Sequence, residues 1–118
     1  MVRLALVALA AAALLAATAA PAGAARVTGT VSGERTITLK KRNGTVVRSL
    51  PRGLHTFVIR DRSGIHNFNL ARGANRIRGT GISFVGTVTW QVRIRRGAVY
   101  RYYCQTHTAQ MSKTFRVS

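Results

Sequence analysis

Residues 87–95 alternate apolar and polar side chains, and this pattern constrains the fold more than any other feature of the chain. The apolar positions are Val88, Trp90, Val92 and Ile94. Successive side chains of a β-strand point to opposite faces, so the pattern predicts a strand with one buried face and one face in water. No segment after residue 25 has apolar side chains at helical spacing, and an all-β fold is therefore expected.

Further strands are predicted along the rest of the chain. Residues 36–40 also alternate, and Asn43-Gly44 separates them from residues 45–47, which predicts a hairpin with a two-residue turn. The other predicted strands are residues 54–60, 65–70, 98–104 and 112–118, and residues 71–75 are predicted to be a loop. Seven or eight short strands with regular turn signals predict a β-sandwich or a small barrel.

The first 25 residues predict a secretory signal peptide. Arg3 gives a positive start, residues 4–20 are almost entirely apolar, and Ala22-Gly23-Ala24 has the small residues of a cleavage site. Cleavage near Ala24 or Ala25 would leave residues 26–118 as one domain outside the cytoplasmic membrane, extracellular or in the cell envelope. The alternative is an uncleaved membrane anchor, although the apolar run is slightly short for a full span.

Basic residues far outnumber acidic ones. The chain has 19 Lys and Arg residues but only two acidic residues, Glu34 and Asp61. This charge predicts attraction to an acidic protein partner, or to an anionic envelope polymer or lipid surface. Nucleic acid is not expected as a partner, because the chain has an export signal and its basic residues are scattered rather than gathered on one element. No enzymatic activity is expected either, because two acidic residues offer no evident pair of carboxylates for acid–base catalysis.

Four side chains near the end of the chain and in its middle carry the chemistry that we consider most informative. Cys104, His107 and Met111 lie within eight residues, and His66 lies 38 positions before Cys104. One thiolate, two imidazoles and one thioether are the donor set of a type 1 copper site. A tight turn after Cys104 could bring three of these donors around one ion. The alternative is a chance cluster.

The cysteine count supports the metal interpretation. Cys104 is the only cysteine, so in an exported protein it is a free thiol, half of an intermolecular disulfide or a metal ligand. A metal ligand best explains an isolated thiol in an oxidising compartment. His55, the third histidine, is predicted to lie at the surface or at the sandwich edge rather than to bind metal.

Two segments resemble the cupredoxins, a family of small blue copper proteins. Residues 61–68 (DRSGIHNF) resemble the family's first-ligand motif, and residues 100–111 (YRYYCQTHTAQM) resemble its ligand loop. The chain is most similar to the small exported cupredoxin-like domains of high-GC bacteria. The resemblance covers residues 26–118 and implies a Greek-key β-sandwich with one copper ion near one end.

The resemblance also implies a role for each site residue. His66, Cys104 and His107 would be the equatorial ligands of the copper ion, and Met111 would be the axial ligand. Asn67 would hydrogen-bond the two ligand-bearing loops to each other, and His107 would be the point where electrons leave.

One position departs from the family's pattern. Thr106 stands where plastocyanin-like loops often have proline, and it has the backbone N–H that proline lacks. If this N–H points at the sulfur of Cys104, it stabilises the thiolate and weakens its donation to copper. We therefore expect a higher reduction potential than a Thr106→Pro variant would have.

The function expected from these features is one-electron transfer through Cu(I)/Cu(II) cycling, by a monomeric exported protein with an acidic redox partner. One alternative is a copper-handling protein without a dedicated redox partner. Another is a non-redox cationic module that binds the cell envelope. Three histidines are too few for multicopper oxidase chemistry, and a single cysteine excludes a two-cysteine dinuclear copper centre.

Overall fold

The computed structural model describes residues 24–118, which form nine β-strands and no helix. The strands are β1 (Arg26–Val31), β2 (Ile37–Lys41), β3 (Ser49–Leu50), β4 (Gly53–Asp61), β5 (Asn69–Arg72), β6 (Asn75–Gly79), β7 (Gly86–Ile94), β8 (Tyr100–Tyr103) and β9 (Ser112–Val117). The all-β prediction is confirmed. The predicted signal peptide, apart from its last two residues, lies outside the described residues, and within them no helix could cross a membrane.

The strands form the two mixed sheets of a β-sandwich. One sheet has the order β2-β1-β4-β7, and the other has the order β3-β9-β8-β5-β6. β1 pairs with β4 in parallel and β3 pairs with β9 in parallel, while the other pairs are antiparallel. In this topology β8, which ends just before Cys104, pairs with β5, which begins just after the His66 segment.

The core lies between the two sheets and is rich in aromatic side chains. Phe57 of β4 and Tyr102 of β8 are fully buried, as is Phe68 just before β5. The Phe68 ring stacks on Tyr102 with a centroid distance of 5.6 Å. Burial of such large rings contributes much of the hydrophobic stabilisation of a small domain. It also fixes Phe68, the second residue after His66, against the core.

Three strand predictions need correction. Residues 65–68 of the predicted strand at 65–70 lie in the connection between β4 and β5, and β5 begins only at Asn69. The hairpin after β2 has a three-residue turn, because the Lys41 N–H donates to the Thr45 carbonyl, and Gly44 has a φ of 84°. Beyond it the chain makes one bridge, Lys40 to Val46, and then crosses to the other sheet, so residues 45–47 are not a strand. Within the predicted loop at residues 71–75, Ala71 and Arg72 end β5 and Asn75 begins β6, so only residues 73 and 74 form the turn. The β6 strand has a single apolar side chain, Ile77, and its sequence therefore has no alternating pattern.

Contrary to the prediction, His55 lies neither at the surface nor at a sheet edge. It is fully buried in β4, which lies between β1 and β7. Its Nδ1 accepts a hydrogen bond from the Ala25 N–H at 2.9 Å, so Nε2 carries the proton that is donated to the Pro51 carbonyl at 2.6 Å. The sequence misled because a polar residue between Leu54 and Thr56 resembles a solvent-facing position.

Candidate metal centre

Three donor atoms meet at one end of the sandwich. Cys104 follows β8 directly, His107 lies three residues later, and His66 lies in the connection between β4 and β5. The Cys104 sulfur is 3.7 Å from His66 Nδ1 and 3.9 Å from His107 Nδ1, and the three donor atoms all lie within 4.8 Å of one another. Ligands at bond lengths of about 2.0–2.3 Å around a trigonal ion are separated by roughly 3.5–4 Å. The two sulfur–nitrogen distances therefore fit a single ion.

The chain around Cys104 forms a closed loop that holds His107 in place. The Cys104 N–H donates to the Met111 carbonyl at 3.0 Å, which joins the two ends of the loop. Within the loop, the His107 N–H donates to the Cys104 carbonyl, and the His107 carbonyl accepts from the Met111 N–H at 2.8 Å. Cys104 and Met111 are fully buried, whereas His107 is half-buried. Met111 thus lies at the base of the loop, in the core.

Asn67 joins the two segments that carry the donors. Its side-chain carbonyl accepts a hydrogen bond from the Gln105 N–H at 3.0 Å, and its amide donates to Gln105 Oε1 at 2.9 Å. The same amide also donates to the Thr80 carbonyl at 3.0 Å. Because Asn67 follows His66 and Gln105 follows Cys104, these bonds fix the distance between the two ligand segments.

A second network lies behind His66 and was not predicted from the sequence. Thr80 donates its hydroxyl proton to Asp61 at 3.0 Å and accepts a hydrogen bond from the Phe68 N–H at 2.9 Å. Asp61 also accepts from the Ser63 N–H at 3.1 Å. Burial raises the pKa of the Asp61 carboxyl, and these hydrogen bonds oppose part of that rise. The sequence indicates a turn after Asp61, but it gives no signal for the hydrogen bond between Asp61 and Thr80, 19 residues later.

The surroundings of Cys104 favour its thiolate. Burial raises the pKa of the Cys104 thiol. Hydrogen bonds from the Thr106 hydroxyl, the Asn67 and Thr106 backbone N–H groups and His66 outweigh it, so the pKa falls from 9.0 to about 7. The Thr106 Oγ1 lies 3.3 Å from the sulfur. A metal binds the thiolate rather than the thiol, so this environment prepares Cys104 for a metal near neutral pH.

The outer surface at this end of the sandwich includes three exposed apolar side chains. Ile65, Phe84 and Val85 are exposed on the loops before β5 and β7. The β7 loop belongs to the same end because Gly86, the first residue of β7, pairs with Asp61, the last residue of β4. Half-buried His107 is therefore the one donor residue with access to solvent on an end that also presents apolar side chains. Sequence analysis missed these three residues because Ile65 was assigned to a predicted strand, and because Phe84 and Val85 lie in a loop outside any strand pattern.

The structure brings together most of the residues singled out from the sequence. His66, Cys104 and His107 converge, and Asn67, Thr106 and Met111 contact or adjoin them. His55 lies at the opposite end, because it is near the start of β4 whereas Asp61 ends that strand.

We predict that Asn67→Ala lowers the free energy of unfolding of the metal-free protein by about 1–3 kcal/mol. The substitution leaves the buried Thr80 carbonyl and the Gln105 N–H without partners, and unpaired buried groups cost about that much. Denaturant unfolding measures the change. Asn75→Ala is the control, because Asn75 is exposed, and we expect it to change the free energy by no more than about 0.5 kcal/mol. Equal effects of the two substitutions would contradict the role given to Asn67.

Solved structures of the copper protein rusticyanin share this architecture. One has a TM-score of 0.62 at 18% identity, and the match covers 81% of this chain and 78% of that chain. A structure of reduced rusticyanin has a TM-score of 0.61 at 16% identity, with 81% and 80% of the two chains covered. Rusticyanin from Thiobacillus ferrooxidans has a TM-score of 0.58 at 20% identity, with 81% and 78% covered.

No family model matches the chain, and no curated protein matches its sequence. At the identities of the solved structures, the likeness concerns the fold. The donor geometry is an independent observation on this chain, and a thiolate with two imidazoles suits copper. The chain therefore has the fold of the cupredoxins, and its His66, Cys104 and His107 are placed to bind one copper ion.

Proposed function

We propose that this protein is an exported one-electron carrier with a single type 1 copper ion, held by His66, Cys104, His107 and Met111. The convergence of one sulfur and two imidazole nitrogens within 4.8 Å carries the proposal. Copper bound by a thiolate and imidazoles supplies one-electron chemistry, because soft sulfur favours Cu(I) and imidazole accepts both oxidation states. The fold shared with rusticyanin, a copper protein, supports this choice of metal.

The surrounding residues would keep the donors in one arrangement in both oxidation states. Asn67 hydrogen-bonds the His66 segment to the Cys104 loop, and the Cys104–Met111 backbone bond closes that loop. Such outer hydrogen bonds orient the ligands of a metal site. Electron transfer is fast when the ligands move little, so a site fixed by strand ends and buried hydrogen bonds suits the task. In this proposal Met111 would be the fourth ligand and would influence the reduction potential.

The end of the sandwich that carries His107 would be the electron-exchange face. His107 is the most exposed of the three donor residues, and Ile65, Phe84 and Val85 offer apolar surface at the same end. A redox partner docked there would approach the His107 ring closely. Apolar contacts of this kind allow a transient complex to form and to dissociate without breaking strong ion pairs.

A copper-handling role fits the structure less well. Handing copper to a partner requires that incoming ligands reach the ion. Here Cys104 is fully buried, and His66 is 1% exposed. Catalysis also finds little support. Asp61 is buried in hydrogen bonds to Ser63 and Thr80, and Glu34 is exposed on the turn between β1 and β2, so the two carboxylates are not paired.

The export part of the proposal rests on residues 1–25, whose sequence has the three regions of a signal peptide. Export would place a lone cysteine in an oxidising compartment, where binding a metal protects the thiol from oxidation.

The proposal is tested by adding one equivalent of Cu(II) to the protein recovered from the exported fraction of an expression host. Visible and EPR spectra are then compared with those of Cys104→Ser. We expect an intense blue thiolate-to-copper band and a narrow parallel hyperfine splitting, both absent from the variant. A pale spectrum that Cys104→Ser leaves unchanged would contradict the proposal.

The role of Thr106 is tested by the reduction potential of two variants. Thr106→Val removes the hydroxyl and keeps the N–H, whereas Thr106→Pro removes both. One hydrogen bond to sulfur, worth about 0.5–1.5 kcal/mol, corresponds to roughly 20–60 mV for one electron. We expect the potential to be lower in Thr106→Pro than in Thr106→Val by about that amount, because the N–H lowers sulfur donation to copper.

The wild-type protein should have the highest potential of the three, and the visible band should show that all three bind copper alike. If Thr106→Pro had a potential equal to or above that of Thr106→Val, the N–H would have no such role.

A further inference from the structure

The register of β4 and β7 defines two ends of the sandwich. β4 runs from Gly53 to Asp61, and its antiparallel partner β7 returns from Gly86 to Ile94. The donor residues lie at the end marked by Asp61 and Gly86, which we call the metal end. The opposite end, marked by Gly53 and Ile94, is the distal pole. Nine residues of β4 separate the two ends by roughly 30 Å.

The positive charge is concentrated at the distal pole. The chain segments that begin or end there carry Arg26, Lys41, Arg42, Arg52, Arg72, Arg93, Arg95 and Arg96. All of them are exposed except Arg72, which is half-buried. By contrast, the three loops around the donor atoms, residues 61–68, 80–85 and 104–111, contain one basic residue, Arg62. The basic residues are scattered along the sequence, but folding gathers eight of them at one end, because strands from both sheets start or finish there.

No acidic side chain offsets this charge at the distal pole. The two acidic residues of the chain, Glu34 and Asp61, both belong to the metal end, and Asp61 is buried. Arg93, Arg95 and Arg96 donate no side-chain hydrogen bond to another described residue. Uncompensated like charges repel each other, and an anionic surface relieves that repulsion.

The surface of the distal pole combines shallow hollows, exposed arginines and exposed apolar side chains. Two shallow hollows of about 540 Å³ and 350 Å³ adjoin each other and share Arg93 and Arg95 in their lining. Leu54 lines the larger hollow and is 41% exposed, and Val99, in the β7–β8 connection at the same pole, is 47% exposed. Guanidinium groups match phosphate oxygens in a bidentate way, which ammonium groups cannot do.

The chain also enters the sandwich at this pole. The Ala25 N–H donates to buried His55, and the Ala25 carbonyl accepts from the Thr56 N–H at 2.9 Å, so Ala25 is fixed beside the first residues of β4. The apolar run at residues 4–20 ends only a few residues before Ala25. The sequence predicts that this run inserts into a membrane, and in the chain it joins the domain at the distal pole.

We propose that the distal pole binds the surface of an anionic phospholipid bilayer and holds the protein with its metal end facing away. A bilayer offers what the pole requires: many phosphates in one plane, within reach of arginines from both sheets, and apolar material for Leu54 and Val99. His107 then stays free for a redox partner in solution. The inference does not depend on copper, because none of the residues that carry it touches the donor atoms.

Flotation with vesicles tests the proposal. The protein recovered from the exported fraction is mixed with vesicles of equal parts phosphatidylglycerol and phosphatidylcholine, or of phosphatidylcholine alone. We expect binding to the anionic vesicles only, and weaker binding when salt rises from about 0.05 M to about 0.5 M, because salt screens exposed charges. Binding to both kinds of vesicle alike would overturn the proposal.

Two triple variants with the same net charge distinguish the effect of the distal pole on vesicle binding from the effect of the total charge. Arg93→Gln/Arg95→Gln/Arg96→Gln should weaken vesicle binding about a hundredfold, because each surface arginine contributes about 1 kcal/mol and every 1.4 kcal/mol is tenfold. Arg35→Gln/Arg60→Gln/Arg62→Gln removes three exposed arginines from the metal-end half and should weaken it far less. Equal losses would show that net charge alone acts and would overturn the proposal.

Two further measurements distinguish a bilayer from other anions and give the orientation. Leu54→Ser/Val99→Ser should weaken binding to vesicles and leave binding to long-chain inorganic polyphosphate unchanged. If it weakened neither, a soluble polyanion rather than a bilayer would be the ligand. Hydrogen exchange with vesicles present should slow in residues 94–99 and not in residues 104–111, and the reverse pattern would overturn the orientation. All these measurements can be repeated on Cys104→Ser, so their outcome is independent of whether copper binds.

Discussion

The hydrogen bonds between Asn67 and Gln105 determine whether the three donor atoms form one site. His66 and Cys104 come from segments 38 residues apart, and neither segment is a regular strand where the donors lie. The paired side-chain and backbone bonds of Asn67 hold these irregular segments at a constant distance. The other features of the metal end follow from this link. Thr80 extends it to Asp61 and Phe68, the stacked rings of Phe68 and Tyr102 anchor it in the core, and the closed loop from Cys104 to Met111 presents His107 to solvent.

The sequence allowed the fold class and the Cys104 loop to be predicted because both depend on local patterns, whereas His66 was chosen by its residue type and its motif. Residues 87–95 alternate over a full strand, and β7 covers nearly the same residues. The spacing of Cys104 and His107 is itself a local feature of one loop. Long-range features were missed or misread for a common reason. His55 is buried by its partners Ala25 and Pro51, and residues 45–47 follow a turn and then cross to the second sheet. Neither outcome is encoded within a short window.

The distribution of charge on the folded protein was also not predictable from short sequence windows. A count of basic and acidic residues gives the sign of the field but not its distribution, and the basic residues look scattered when read along the chain. The antiparallel register of β4 and β7, with strand ends from both sheets, brings eight of them to the distal pole. The three loops around the donor atoms keep a single basic residue, Arg62. The proposed redox partner would therefore meet one end, and the proposed anionic surface would meet the other.

The central claim is that the folded chain already presents a copper site before the metal arrives. Crystal structures of the metal-free and copper-loaded protein, with anomalous diffraction recorded at the copper edge, test it most directly. The account predicts one anomalous peak between His66 Nδ1, Cys104 Sγ and His107 Nδ1, with the Asn67–Gln105 hydrogen bonds present in both structures. A peak elsewhere, or a ligand loop that rearranges and breaks those bonds when copper binds, would contradict it.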